Sequence, residues 1–137
     1  MQFISYLTFN GNCREAFTFY QKCLGGSIVA MMSHGEAPSE ENIPSEWHDR
    51  IMHARLIVDG AVLMGSDAPP ERYREAQRFS VSLVADTVED AERIYNLLSE
   101  SGNVEMPLHE TFWAHRFAMF TDKFGIPWMI NCEKPMG

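Results

Sequence analysis

Apolar and polar positions along this chain change period several times, and each change marks an element. Residues 3–9 (FISYLTF) are rich in aromatic and β-branched side chains and read as a strand. Asn10-Gly11 ends it. From Cys13 the period lengthens. Cys13, Ala16, Phe17, Tyr20, Cys23 and Leu24 recur at the i, i+3, i+4, i+7 spacing that lines one side of a helix. Asn12 stands where an N-cap is needed, with Glu15 three residues on as in a capping box. Gly25-Gly26 stops the helix, because glycine accepts the left-handed conformation beyond a C-cap. Residues 27–32, 51–58 and 61–65 read as strands, the last two joined by Asp59-Gly60, a two-residue hairpin signal.

The second half repeats the order. Residues 79–84 form a strand. Thr87 caps a helix with Asp90 three residues on, and Val88, Ala91, Ile94, Tyr95 and Leu98 make its apolar face. Gly102 ends it, and 104–108, 114–121 and 126–132 read as strands, the last two joined by Asp122-Lys123-Phe124-Gly125. A shift of 75 residues lays Ser5 on Ser80, Asn12 on Thr87, Glu15 on Asp90 and Tyr20 on Tyr95. The chain therefore reads as two tandem β-α-β-β-β units of one α+β domain: unit one at 1–67, a polar Pro-bearing linker at 68–77, and unit two at 78–137. Each unit is too small to bury both faces of its own sheet. The mixed sheets are expected to curve around a shared cleft, paired within one chain or exchanged across a dimer.

Charge narrows the partners. The net charge of −8 argues against nucleic acid or an anionic membrane, both of which need a basic face. No apolar run approaches the ~20 residues of a membrane span. The first residues lack a basic n-region and a cleavage site, so a cytoplasmic protein is expected. Cys13, Cys23 and Cys132 are too few and too odd in number for a disulfide framework. Cys13 and Cys23 on one helix stand ~15 Å apart, beyond the ~7 Å a disulfide spans; buried reduced thiols are expected. Residues 34–50 carry Glu36, Glu40, Glu41, Glu46 and Asp49 with Pro38 and Pro44, an acidic loop that reads as a solvated excursion or a lid.

One family matches this arrangement residue by residue. Tyr6-Leu7-Thr8-Phe9-Asn10-Gly11, Phe19-Tyr20 with Gly25-Gly26, Met52-His53-Ala54 and Leu63-Met64-Gly65-Ser66-Asp67 carry it in the first half. Met106-Pro107-Leu108, Thr111-Phe112-Trp113, Arg116-Phe117, Asp122 with Phe124-Gly125, and Trp128-Met129-Ile130-Asn131 carry it in the second. The chain resembles the vicinal oxygen chelate superfamily of glyoxalase I, extradiol dioxygenases and bleomycin-resistance proteins. More narrowly it resembles the PhnB-like branch, often labelled 3-demethylubiquinone-9 3-methyltransferase-like. Ala114 and Ala118 stand where that branch commonly has Gly.

The resemblance implies a site and a test of it. Metal-dependent members draw His or Glu ligands from the first and fourth strand of each unit. Those positions carry over to Ser5, Met64, Ser80 and Met129, none of which suits Zn, Ni, Fe or Mn. No resident metal or cofactor is expected. The pocket expected instead is lined by Ser5, His53, Met64, Ser80, Trp113, Arg116, Met129 and Asn131. His53 reads as a general base or anion ligand, or as a hydrogen-bonded structural histidine. Arg116 reads equally as a carboxylate clamp or the partner of an acidic residue. His34, His48 and His53 fit no ligand spacing. A methyltransferase using S-adenosylmethionine needs a glycine-rich turn after the first strand of an α/β fold, and the chain has neither. Three functions stay open: a metal-independent small-molecule binding protein, an enzyme of the superfamily using His53 or non-standard metal ligands, and a dimeric structural or interaction protein. A homodimer is expected because the superfamily commonly pairs units across chains.

Overall fold

The computed structural model describes residues 1–36 and 45–135. They divide into two compact units, Met1–Arg74 and Glu75–Gly137. Each is one helix on a four-stranded mixed sheet.

In the first unit β1 (Ser5–Phe9) leads to α1 (Cys13–Leu24), then β2 (Ser27–Ser33), β3 (Ile51–Val58) and β4 (Ala61–Asp67). The sheet order is β1-β4-β3-β2, with β1 parallel to β4 and the other pairs antiparallel. The expected helix face is the buried one: Cys13, Ala16, Phe17, Tyr20 and Cys23 all lie under the sheet side of α1. Phe17 meets Phe9 edge-on at 6.1 Å and Tyr20 at 5.8 Å. Each such fully buried apolar side chain contributes roughly 1.5–3 kcal/mol. The hairpin at Asp59-Gly60 forms as read, both residues at positive φ (48° and 82°) as a type I′ turn requires.

In the second unit β5 (Val81–Val84), α2 (Val88–Leu98), β6 (Asn103–His109), β7 (Ala114–Thr121) and β8 (Pro127–Glu133) give the order β5-β8-β7-β6 with the same parallel and antiparallel pairs. Ala91, Ile94 and Leu98 of α2 are buried, as are Ala118, Phe120, Trp128 and Ile130 of the sheet. Tyr95 packs edge-on against Phe120 at 5.8 Å.

Two cap readings are corrected. Asn12 occupies the N-cap position but its side chain makes no capping bond. The first-turn N–H of Cys13 donates instead to Asp67 Oδ1 at 2.9 Å, and Gly11 N–H donates to the same oxygen. Thr87 does cap α2, its Oγ1 accepting from Asp90 N at 3.0 Å. Gly102 is not a helix cap, since α2 closes at Ser99. A Cβ at Gly102 would lie 2.2 Å from the Thr121 carbonyl, so the close approach of β6 to β7 is what requires glycine there. All three cysteines are buried and none is in a disulfide. Among the described residues no helix is long and apolar enough to cross a membrane.

Candidate functional site

Strand register decides which side chains share a face, because successive residues point to opposite sides. In the first unit Leu7, Phe9, Gly65, Ala54 and Leu56 point at α1; a Cβ on Gly65 would press into the Phe17 ring at 2.8 Å. The opposite face carries no helix of its unit. There Tyr6 pairs with Met64, and Met64 with Arg55; one row over lie Thr8, Ser66 and His53. Tyr6 and His53 stack, centroids 6.3 Å apart and rings 26° from parallel.

Ser5 is not on this face. It pairs with Leu63, the neighbour of Met64, and so has the parity of Leu7 and Phe9. Tyr6 holds the place expected of Ser5. The second unit makes a parallel correction. Met129 pairs with Ser82, and Ser80 precedes β5 on the same parity, outside the ladder.

The open face of the second unit is built mainly of apolar side chains. Met129 lies between Ser82 and Met119, and Asn131 between Val84 and Phe117. Trp113, just before β7, donates its indole N–H to Asn131 Oδ1 at 3.2 Å and meets Phe117 edge-on at 5.3 Å. Trp113, Met129 and Asn131 therefore lie together on this face. Arg116 does not join them. It shares the parity of Ala118 and Phe120, on the side of α2, where its Nε donates to Glu92 Oε1 at 3.4 Å. Of the two roles open to Arg116, the ion pair with an acidic residue is the one observed.

The residues missed from sequence are Tyr6, Arg55, Ser82, Phe117 and Met119. Alternation was the signal. Leu7 and Phe9 are the apolar pair that must face the helix, which sends Tyr6 and Thr8 the other way.

The first and fourth strands of the units offer Tyr6 beside Met64 and Ser82 beside Met129. A divalent ion that polarises vicinal oxygens needs imidazole or carboxylate donors, and these four do not fit one. Glu133, at the exposed end of β8, is the only carboxylate of that parity on these four strands. Among the described residues no three His, Cys, Asp or Glu side chains converge as a metal would require. His34 and His48 lie apart from His53, at the base of the acidic loop, where Gly35 N–H donates to the His48 carbonyl and Arg50 lies 4.7 Å over the Trp47 ring. The loop residues Pro38, Glu40, Glu41 and Pro44 fall outside the described residues.

Cys13 is no nucleophile. Burial, reinforced by the Asp67 carboxylate, pushes its thiol up to about 12, so it stays protonated at neutral pH.

Known proteins carry the same architecture. The chain is 42% identical to Protein YjdN of Escherichia coli (strain K12), over 94% of this chain and 93% of that protein. Protein PA1353 from Pseudomonas aeruginosa superposes with a TM-score of 0.90 at 49% identity, covering 98% of this chain and 99% of that one. A putative 3-demethylubiquinone-9 3-methyltransferase, the PhnB protein from Bacillus cereus, superposes with a TM-score of 0.80 over 96% and 99% of the two chains; at 22% identity this likeness speaks for the fold alone. The model of the Glyoxalase/Bleomycin resistance protein/Dioxygenase superfamily matches residues 3–130, and with a β-α-β-β-β unit in each half the chain belongs to that superfamily.

Proposed function

We propose that the protein binds a small organic molecule on the sheet faces that its helices leave open, without a resident metal. The observation that carries this reading is the chemistry of the register positions from which metal-dependent relatives draw ligands: a phenol beside a thioether in one unit, a hydroxyl beside a thioether in the other. Such groups make a poor ligand set for a divalent ion. They do suit an organic ring. Thioethers are polarizable and make favourable contacts with aromatic edges. Trp113, its indole N–H tied to Asn131, offers a stacking surface whose orientation is already set. Bleomycin-resistance-type members, which this chain resembles, show that the scaffold can bind without turnover. Three buried cysteines outside any disulfide suit a reducing cytoplasm. We also expect a homodimer, and light scattering that reports a monomer at micromolar concentration would remove that part.

Two measurements test the main reading. Elemental analysis of purified protein is expected to show no stoichiometric Ni, Zn or Fe. A thermal-shift screen against metals and small metabolites should respond to organic compounds, since a ligand at 100 times its Kd adds about 2.7 kcal/mol to the folded state. One bound transition metal per chain would overturn the reading. An enzymatic reading rests on one feature, the place of His53 on the first unit's open face stacked on Tyr6. Once a ligand is found, His53→Ala separates the two: lost turnover with retained affinity favours catalysis.

A further inference from the structure

The two open faces differ in chemistry at equivalent positions. Met64 and Met129 mark the same point in each sheet. Around Met64 the neighbouring strand supplies Arg55 and, two residues back, His53; around Met129 it supplies Met119 and Phe117. Thr8 and Tyr6 in the first unit answer to Val84 and Ser82 in the second. The repeat thus places a guanidinium and an imidazole where its other copy places a thioether and a phenyl ring.

The strands of the first unit also carry no acid on their open side. The chain carries 19 Asp and Glu against 11 Lys and Arg, yet no carboxylate has the parity of Tyr6, Thr8, His53, Arg55, Met64 and Ser66 on these strands. The one carboxylate on strands β1, β3 and β4, Asp67, faces the helix and accepts from three backbone N–H groups. Arg116 has Glu92, Arg93 has Asp90 and Lys134 has Glu110. Half-buried Arg55 has no ion pair or hydrogen bond among the described residues. A partly desolvated cation without a counter-charge is costly to keep, and a bound anion removes that cost.

We infer that Arg55 and His53 form an oxyanion-reading surface, so that the molecule this protein binds carries a carboxylate or a phosphate on an aromatic or apolar body. This rests on the binding reading above and adds the class of ligand. The planar guanidinium fork matches both oxyanions and can engage two oxygens at once. Residues two apart on one strand lie ~7 Å from each other, and facing Cβ atoms on adjacent strands ~5 Å. An anion at Arg55 therefore has the His53 ring beside it. The stacked Tyr6, 49% exposed, offers a ring face to the body of the ligand.

The test uses matched probes titrated by calorimetry: 1-naphthoate and 1-naphthyl phosphate against neutral 1-naphthamide, with the same trio on phenyl and indolyl bodies. At least one anion should bind about tenfold tighter than its amide, a difference of ~1.4 kcal/mol. Arg55→Gln should bring that anion to within about twofold of the amide, which is ~0.4 kcal/mol, and leave the amide unchanged. Arg55→Lys should restore part of the preference, and the control Arg72→Gln on the exposed linker should change nothing. Which anion wins distinguishes carboxylate from phosphate. Amides binding as tightly as anions would overturn this inference and leave the binding reading intact. So would an anion preference that survives Arg55→Gln. If no probe of either charge binds at millimolar concentration, the binding reading falls and this inference with it.

Discussion

Asp67→Asn should unfold the first unit far more easily than its conservative chemistry suggests. Asp67 sits at the end of β4, buried, and its two oxygens hold three backbone donors. Oδ1 accepts from Gly11 N at 3.0 Å and Cys13 N at 2.9 Å; Oδ2 accepts from Ile51 N at 2.8 Å. One carboxylate thus joins the start of α1, the loop before it and the start of β3. Asparagine keeps one acceptor for Gly11 and Cys13, but its amide nitrogen then faces the Ile51 N–H, donor against donor. A buried donor left unsatisfied costs about 1–3 kcal/mol, and the two surviving bonds lose their charge assistance, about 0.5–1 kcal/mol each. The attraction of a carboxylate to a helix N-terminus, about 0.3–1 kcal/mol, is lost as well. Asparagine is spared part of the cost of burying a charge, so we expect a net loss of about 3 kcal/mol. For a chain of this size that is roughly 10 °C in Tm. Urea denaturation should show a lower midpoint at unchanged slope. Amide exchange should accelerate first at Gly11, Cys13 and Ile51. A loss within about 0.5 kcal/mol, the scatter of ordinary surface changes, would refute the argument that this carboxylate fastens the three segments.

Three further outcomes follow from the same geometry. Thr87→Ala should cost about 1 kcal/mol in urea denaturation, whereas Asn12→Ala, whose side chain caps nothing, should cost only a few tenths. Cys13 should resist a thiol reagent at pH 8 in the folded protein. Its raised pKa also predicts stability that is fully present below the unfolded value of 9.0 and lost as pH rises through about 12, where the unfolded chain releases a proton that the native state keeps; Cys13→Ala should flatten that alkaline slope. Installing Tyr6→His with Met64→Glu should create a two-ligand Zn or Ni site on adjacent strands, measured by calorimetry. Ser5→His with Met64→Glu should bind about tenfold more weakly or worse, a gap of at least ~1.4 kcal/mol, because those side chains point to opposite faces; equal affinities would sink the face assignment.

Much of the architecture was legible because local signals agreed with one another. The buried stripe of α1, the Asp59-Gly60 turn and the bounds of β3 and β7 follow from periodicity and turn chemistry alone. What local signals lacked was anything long-range. Asn12 has the residue type of a cap, but a carboxylate 54 residues away in sequence already occupies the first-turn donor. Gly102 has the look of a helix stop, but its real constraint is a carbonyl on β7. Arg116 had two readings that only the position of Glu92 could separate.

Ser5 and Ser80 miss the ligand register in different ways: Ser5 has the parity opposite to Tyr6, whereas Ser80 has the parity of Ser82 and lies two residues before it, outside the ladder. A shift of 75 residues superposes the helix caps Asn12 and Thr87. The ladders need a different shift: Leu7 faces Gly65 and Leu83 faces Ile130, which makes Leu7 and Leu83 equivalent at a shift of 76. The connection from strand to helix is one residue longer in the first unit, where Gly11 takes a φ of +92° and its N–H turns to Asp67. A difference of one residue leaves a helix alignment intact but turns every strand side chain to the other face. Repeat alignment anchored on helix caps therefore carries no information about which strand residues face a site. Burial alternation does, since Leu7 and Phe9 are the only apolar pair in β1 that α1 can cover. Met64 and Met129, carried over from the family's ligand strands, lie on the open faces, whereas Ser5, carried over in the same way, has the parity of Leu7 and Phe9.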